Sequence, residues 1–293
     1  MNHSITSHPC DNVSLAQLTE LAQSGNSEAQ YILGRLYNDE RIDGSEEDKL
    51  SFYWLQQAAE QGHCEAQYWL GLRYKDTPTD MKDNTLALFW SEKAAQQGHR
   101  HAFNTLGWVQ EGETGMAPDY AQAVAWYRKG AEHCASQERL AYMYGNGKGC
   151  RKNLSLAALW YKKSALQESS YSQYQMGYCY YIGEGIKQDY QQAIYWFRKA
   201  ADQGDDGAYN SIGWMYKCGH GVEQNYSLAL EWFHKSAECN NSSGWYNLGC
   251  MYRDGHGTAQ DLQQALYWFK KAQPTGKWNV DEEIRKLEAQ LHA

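Results

Sequence analysis

Proline and long hydrophobic runs are both scarce in this sequence of 293 residues. It contains four prolines and its mean hydropathy is −0.78. No apolar run approaches the roughly 20 residues that a membrane-spanning helix needs. These features exclude a membrane protein, and no membrane partner is expected.

Sequence motifs of catalysis are also missing. No Gly-x-Ser-x-Gly, Ser-x-x-Lys or His-Glu-x-x-His pattern occurs, and no phosphate-binding glycine loop opens a helix after a strand. We therefore expect no enzymatic activity and no cofactor. A hydrolase, whose carboxylates would converge from separate repeats, is the least favoured alternative.

What the sequence does contain is a regular series of tryptophans. Their intervals are 36, 36, 34, 36, 36 and 36 residues, a period typical of units that carry two helices each. Such units bury their apolar faces only by stacking on neighbours, so the function is expected on an extended surface. The seven positions are Trp54, Trp90, Trp126, Trp160, Trp196, Trp232 and Trp268.

A glycine that follows an apolar residue recurs in six repeats, as in Leu70-Gly71 and Ile212-Gly213. One repeat has Ala141 at this position instead. Alanine would be strained if the position needed a positive φ, so the pattern indicates a small side chain where two helices approach closely. We name the segment with this marker glycine helix A, and the segment with the tryptophan helix B.

The start of helix B is also predicted. Asp or Asn precedes the tryptophan by seven residues in six repeats, as expected of an N-cap residue. In three repeats glutamine follows three residues later, which fits the capping-box pattern. The N-cap residues are Asp83, Asp119, Asn153, Asp189, Asn225 and Asp261, and the glutamines are Gln122, Gln192 and Gln264.

These motifs together resemble the Sel-one-like repeat family, which is related to tetratricopeptide repeats. The segment AIYWFRKAADQGDDGAYNSIGWMYKCGHGVEQNY (193–226) shows the A-x-x-W-Y/F-x-K-A/S helix, the Q-G turn, the L-G-x-x-Y helix and the G-x-G loop. The resemblance covers residues 28–272. It implies an all-α, right-handed α-solenoid superhelix of about seven 36-residue helix-turn-helix repeats. It also implies a binding scaffold, often a bacterial one.

The chain on either side of the repeats is predicted to cap the stack. Residues 1–27 form an N-terminal segment with a capping helix, and residues 273–293 form a charged amphipathic capping helix. The interval between Trp126 and Trp160 is two residues short. We expect a local change of curvature near residues 130–138.

The eight cysteines scatter over different positions of the repeat. Reduced thiols are therefore expected, and the N-terminus lacks a secretory signal, so a cytoplasmic protein is predicted. A metal site at Cys218, His220 and His256 is disfavoured, because zinc ligands usually come as two close pairs.

A lysine follows the tryptophan by three residues in six repeats, for example Lys199 and Lys235. Such a ladder could follow nucleic-acid phosphates. The net charge of −8 argues against this interpretation, and basic residues late in a helix favour its dipole. No nucleic-acid partner is expected.

Aromatic residues beyond the repeat consensus mark the candidate binding surface. Five candidates directly follow the marker position of helix A, and two lie three residues earlier on the same face. By resemblance, helix A lines the concave surface, and Trp, Tyr and Arg dominate the energetics of interfaces. We expect Trp108, Tyr142, Tyr178 and Trp214 to form a connected stripe, with burial in the core as the competing interpretation. The candidate partner-binding residues are Trp69, Leu72, Trp108, Arg139, Tyr142, Tyr178 and Trp214.

The sequence thus predicts a non-enzymatic scaffold or adaptor that binds a protein or peptide partner through its concave groove. A dedicated inhibitor, such as an immunity protein that neutralises a toxin, is the alternative. No residue pattern identifies the partner.

Overall fold

The computed structural model describes residues 14–39, 46–76, 83–112, 117–276 and 278–292. Within these ranges it contains sixteen α-helices, one short 3-10 helix and no strand, which confirms the all-α class. The chain divides into two compact units, unit 1 (residues 1–151) and unit 2 (residues 152–293). Each unit is described by itself below.

Unit 1 is a stack of A and B helices in which each helix packs against the next one along the chain. Helix α1 occupies the place of a B helix before the first A helix, and its role as an N-terminal cap stays a prediction. The helices are α1 (Leu15–Gln23), α2 (Ser27–Asp39), α3 (Glu46–Glu60), α4 (Cys64–Asp76), α5 (Asn84–Gln96), α6 (Arg100–Gln110), α7 (Tyr120–Lys129) and α8 (Cys134–Asn146).

Unit 2 repeats the same arrangement and ends in the helix that the sequence assigns to the C-terminal cap. Ile284 and Leu287 of this last helix are buried against Phe269 of the preceding one. The helices are α9 (Leu154–Ala165), α10 (Ser170–Ile182), α11 (Tyr190–Ala201), α12 (Asp206–Cys218), α13 (Tyr226–Glu238), α14 (Ser242–Asp254), α15 (Leu262–Ala272) and α16 (Asp281–Leu291), with the 3-10 helix at Gln273–Thr275.

The marker glycines let helix A approach the residue that follows the tryptophan of helix B. A Cβ atom added at Gly213 would lie 2.8 Å from the ring of Phe233, and one at Gly107 would lie 2.5 Å from the ring of Tyr127. Gly213 and Gly107 do not have positive φ values. The requirement is therefore close approach, as the sequence predicts, and at both sites alanine would force the facing ring to move.

The predicted N-cap residues all begin their helices, and their side chains accept hydrogen bonds from backbone N–H groups of the first turn. The capping-box prediction is only half correct, because the N-cap side chain bonds to the helix while the glutamine side chain does not bond back to the N-cap N–H. In the described residues, the N-cap N–H of Asp189 donates to the Tyr180 carbonyl at 3.0 Å rather than to Gln192. The loop between helix A and helix B is closed by this backbone bond, so the glutamine side chain is not needed there.

The interval between Trp126 and Trp160 is two residues short, and this changes the turn between α7 and α8. In the other turns from helix B to helix A, the eighth residue after the tryptophan has a positive φ, as at Gly98, Gly204 and Glu168. After Trp126 this residue is missing, and Gly130 ends α7 with a φ of −89°. The local turn is different, while the predicted change of curvature near residues 130–138 stays a prediction.

Candidate functional site

The seven candidate residues all lie on A helices. Unit 1 carries Trp69 and Leu72 on α4, Trp108 on α6, and Arg139 and Tyr142 on α8, whereas unit 2 carries Tyr178 on α10 and Trp214 on α12. Tyr178 is 44% exposed and Trp214 is 39% exposed. The five candidates of unit 1 are half-buried. None of the seven belongs to the fully buried core.

Neighbouring A helices are staggered, which changes how the candidates meet. The indole N–H of Trp214 donates a hydrogen bond to Tyr181, 33 residues earlier, at 3.0 Å. The ammonium of Lys75 lies 4.2 Å from the centre of the Trp108 ring in unit 1, across the same interval. Residues of equal phase were expected to align, but contact partners are offset by about one helical turn. The stripe as a whole spans both units and stays a prediction.

The rings of Trp69 and Trp108 in unit 1 are each covered by a cationic side chain, and Lys148 lies 5.1 Å from the centre of the Tyr142 ring. The guanidinium carbon of Arg35 lies 3.7 Å from the centre of the Trp69 ring, closer than Lys75 is to Trp108. Cation–π contacts of this kind stabilise exposed aromatic rings by about 0.5–1 kcal/mol. These two rings therefore already have local partners.

Arg139 is engaged in a buried network rather than left available for a partner. Its guanidinium makes two hydrogen bonds to the carboxylate of Glu111, whose side chain is only 3% exposed. The phenol of Tyr127 donates to the same carboxylate at 2.5 Å. Burial and the neighbouring Glu111 raise the pKa of Tyr127 far above its usual range. The geometry gives Arg139 a role in neutralising Glu111.

In unit 2, the two candidates line a common cavity between α10 and α12. Its volume is about 220 Å³. Besides Tyr178 and Trp214, aromatic rings of Tyr174, Tyr181 and Phe197 form its walls. Asn210 and Ser211 add the polar part of the lining. The cavity is therefore mostly apolar with a small polar edge, as is usual for binding pockets.

The phenol groups of this cavity are held in place by hydrogen bonds. Tyr181 Oη accepts from Trp214 and lies 3.1 Å from His220 Nδ1. The imidazole of His220 stacks on Tyr190, with ring centres 4.6 Å apart. Burial raises the pKa of Tyr181 from its usual value. Tyr181 is thus neutral and fixed, and it holds the indole of Trp214 in one orientation.

The polar edge of the cavity continues toward the next repeat. Asn247 Nδ2 donates to Asn210 Oδ1 at 2.8 Å, and Ser211 Oγ donates to the Gly207 carbonyl at 2.9 Å. Burial raises the pKa of Tyr174, although Ser211 acts in the opposite direction. The amide oxygen of Asn210 is therefore occupied, while its NH₂ group faces no partner among the described residues.

Sequence reasoning missed Tyr174, Tyr181, Asn210 and His220. Tyr181 stands three residues after Tyr178, so the helical period places both on one face. That spacing was a usable signal. The part played by His220 depends on the loop between α12 and α13, and no spacing rule within a helix reveals it.

Other chemical groups singled out from the sequence have packing roles. His220 and His256 stack on tyrosines, and no cluster of three or more potential metal ligands occurs in the described ranges. The seven cysteines that the structure describes are free thiols, and burial raises the pKa of Cys179 to about 11. Cys10 lies outside the described residues.

The lysine ladder also has a structural explanation. The ammonium groups of Lys129, Lys163 and Lys235 lie 4.1–4.3 Å from the centres of the tryptophan rings three residues earlier. In these three repeats the lysine late in helix B covers the marker ring of its own repeat. In the part of the chain that the structure describes, no helix is long and apolar enough to cross a membrane.

Comparison with known families finds the same repeat that the geometry shows. A family model described as Sel1 repeat matches seven segments of the chain. They are residues 27–63, 64–99, 106–133, 134–169, 170–205, 207–241 and 246–272.

Two solved structures are similar over almost the whole chain. A protective antigen present in uropathogenic Escherichia coli strains, displaying an SLR fold, is 31% identical with a TM-score of 0.70, covering 96% of this chain and 68% of that one. A Sel1 repeat protein from Oxalobacter formigenes is 25% identical with a TM-score of 0.62, covering 94% and 92% of the two chains.

A curated relative is similar over a much shorter stretch. Sel1-repeat-containing protein YbeQ from Escherichia coli K12 is 44% identical over 48 residues, which is 16% of this chain. The match spans 15% of the length of that relative.

Proposed function

Because the chain belongs to the Sel1 repeat family, whose members are in general non-enzymatic scaffolds for protein interactions, we propose that it binds a protein partner through the exposed faces of its A helices. The contact is centred on the cavity between α10 and α12 of unit 2. This surface is part of the one that the sequence predicts to be concave.

The observation that carries this proposal is the exposure of Tyr178 and Trp214 at a preformed cavity. Large aromatic rings dominate binding energies when a partner buries them. Trp214 is 39% exposed and is held by Tyr181, so a partner would bury its ring without first having to order it. Rings of the core, such as Trp196 at 6% exposure, have almost no exposed surface that a partner could bury.

Unit 1 carries weaker candidates for partner binding. Trp69, Leu72, Trp108 and Tyr142 remain candidates, since they lie on A helices and are half-buried. Arg139 is the least suited of the predicted residues, because its guanidinium already neutralises Glu111.

The proposal is tested by panning a phage-displayed library of random peptides against the purified full-length chain. Trp214→Ala removes the ring at the cavity. The matched control is Tyr195→Ala on α11, because Tyr195 is 49% exposed but lies on a B helix. Binding of the enriched peptides is then measured to all three proteins by fluorescence anisotropy.

We expect enriched peptides to lose at least tenfold in affinity with Trp214→Ala and to bind the Tyr195→Ala protein as they bind the original one. A tenfold loss corresponds to about 1.4 kcal/mol. Equal binding to both variants would place the interaction elsewhere. A partner that buries the A-helix surface only as a whole folded domain would leave the library without enriched peptides, as expected of the inhibitor alternative.

A further inference from the structure

We propose that the cavity of unit 2 selects a partner segment in which an apolar side chain is followed closely by an acidic one, with Lys217 as the residue that selects the acidic group. This inference rests on the proposed function, since it names the chemistry of the segment that the cavity takes. It adds a charge preference that no repeat motif implies.

The apolar half of the preference follows from the cavity walls. The hydroxyl group of Tyr181 is engaged with Trp214 and His220, and the rings of Tyr174, Tyr178 and Phe197 line the rest of the wall. The rings therefore present mainly carbon surface to the cavity. An apolar side chain that enters it loses its contact with water, at about 25 cal/mol for each Å² buried.

The acidic half follows from a positive side chain at the rim. Lys217 stands one helical turn after Trp214 on α12, and its ammonium lies 5.1 Å from the centre of the indole ring. No carboxylate within salt-bridge distance of Lys217 occurs among the described residues. A carboxylate that arrived beside Trp214 would complete this pair.

The carboxylates near the cavity are already engaged. Asp205 accepts from the Ala208 N–H at 2.7 Å as the N-cap of α12, and Asp206 accepts from Asn241 at 2.7 Å. Asp254, which also feels the charge of Lys217, is bonded to Arg253 at 2.7 Å. None of these three carboxylates forms an ion pair with Lys217.

An aromatic cavity could instead suit a cationic side chain, because the faces of aromatic rings attract cations. The position of Lys217 argues against that occupant. The face of Trp214 is already approached by an ammonium, and a second cation nearby would be repelled by it. The test includes this alternative as an outcome.

The backbone of the segment has its own binding group. Asn210 Oδ1 accepts from Asn247, which orients the Asn210 NH₂ group as a donor. A carbonyl of an extended peptide is the complementary acceptor. Asn210 thus fixes the segment along the cavity, while Lys217 discriminates among its side chains.

A peptide array on the full-length chain tests this inference. Each peptide has a Gly-Ser background with Leu, Phe or Ser at one position and Asp, Asn or Lys two residues later. The array is probed with the original protein, with Lys217→Glu, and with Lys199→Glu as the control. Lys199 is an exposed lysine on α11, outside the cavity. Trp214→Ala is included to show that the cavity is the site.

We expect peptides with Leu or Phe and Asp to bind the original protein about three- to tenfold better than those with Lys, a preference that weakens as salt is added. Lys217→Glu should reverse the order, and Lys199→Glu should leave it unchanged. Trp214-dependent binding without an Asp preference, or with a preference for Lys, would overturn this inference and leave the proposed function standing. Failure of all peptides to bind would also overturn this inference, while the proposed function would then require a folded-domain partner.

Discussion

Unit 1 and unit 2 use the same backbone spacing but fill it with different side chains. In unit 2 the marker glycines Gly177, Gly213 and Gly249 face the phenylalanines Phe197, Phe233 and Phe269. In unit 1 the facing residues are Leu55, Ser91 and Tyr127. The glycine sets how closely the helices approach, and the residue opposite it is free to vary in size and polarity.

The units also differ in buried charge. Unit 1 buries the Arg73–Asp48 ion pair at 4% and 3% exposure, and it buries Glu111 against Arg139. The corresponding charges of unit 2, such as Arg253 and Asp254, are about one-third exposed. The acidic excess of the chain also lies almost entirely in residues 1–151. Unit 1 therefore depends on paired polar groups in its interior, whereas unit 2 depends on aromatic packing and leaves aromatic surface open.

The largest expected effect comes from unpairing a buried charge in unit 1. Arg73→Leu leaves Asp48 buried without its cation and should destabilise the unit by about 3–5 kcal/mol. Urea unfolding combined with hydrogen exchange of α3 and α4 measures this. The double variant with Asp48→Leu should recover most of the loss, since a well-packed apolar pair often replaces a buried ion pair without cost.

The control for this comparison is Arg253→Leu in unit 2. Its partners are partly exposed, so a loss of less than about 1 kcal/mol is expected. Equal losses in the two units would show that the buried charges of unit 1 are not what distinguishes it.

The next effect concerns the marker glycines. Gly213→Ala should cost about 1–3 kcal/mol because the ring of Phe233 must shift, and Gly213→Leu should cost more. Gly107→Ala should cost more than Gly213→Ala, since the facing Tyr127 is also tied to Glu111 at 2.5 Å. Equilibrium unfolding of the three variants gives the order.

Phe233→Leu in the Gly213→Ala background checks the cause. It should return part of the lost stability by making room for the new methyl group. A Gly213→Leu protein as stable as the original would contradict the steric explanation of the repeat.

As the pH falls, unit 1 should lose stability before unit 2 does. Burial lowers the pKa of His99 below the usual 6.5, although Glu65 acts in the opposite direction, and burial together with His101 lowers the pKa of His133. The unfolded chain then binds protons more readily than the folded one. The stability contributed by the neutral imidazoles is present above pH 6.5 and is lost as the pH falls below it.

Hydrogen exchange of α6 and α12 at about pH 7.5 and about pH 5.5 distinguishes the units. Protection of α6 should fall more, because burial lowers the pKa of both His99 and His133 in unit 1 and of His234 in unit 2. The double substitution of His99 and His133 by Asn should remove most of the difference. An unchanged difference would exclude these two groups as its origin.

The smallest effect lies in the turns from helix B to helix A. Glu168 and Asn240 of unit 2 have φ values of 66° and 61° where unit 1 has Gly62 and Gly98. A side chain in this left-handed region is strained, so Glu168→Gly should stabilise unit 2 by up to about 1 kcal/mol. The reverse change, Gly98→Glu, should destabilise unit 1 by a similar amount. Thermal melts of both variants test the pair, and a destabilised Glu168→Gly protein would be the contrary result.

Much of the fold was predictable because each sequence pattern recurs in several repeats. One glycine such as Gly213 says little, but six in register indicate a close helix contact, and Ala141 excludes a need for positive φ. The N-caps followed from Asp and Asn at a fixed distance from the tryptophan. The capping boxes were only half correct, because the carbonyl of Tyr180 competes for the N–H of Asp189.

The candidate site was less predictable, because it depends on how neighbouring helices are staggered. Equal phase placed Tyr178 beside Trp214, whereas the indole N–H of Trp214 donates its hydrogen bond to Tyr181. Arg139 is of a residue type that is common in interfaces, but the carboxylate of Glu111 in the preceding repeat engages it. A period along one helix gives the face of a residue and leaves its partner on another helix undetermined.

The central claim is that Trp214 belongs to a binding surface, and paired measurements of stability and affinity test it most directly. Trp214→Ala is compared with Trp196→Ala, whose ring is 6% exposed in the core of the same unit. Trp196→Ala should lose about 3–5 kcal/mol of stability. Trp214→Ala should keep a melting temperature close to that of the original protein while losing about 2 kcal/mol of partner affinity. If Trp214→Ala melts as early as Trp196→Ala, or if it binds the partner as tightly as the original protein, the ring is structural and the claim is contradicted.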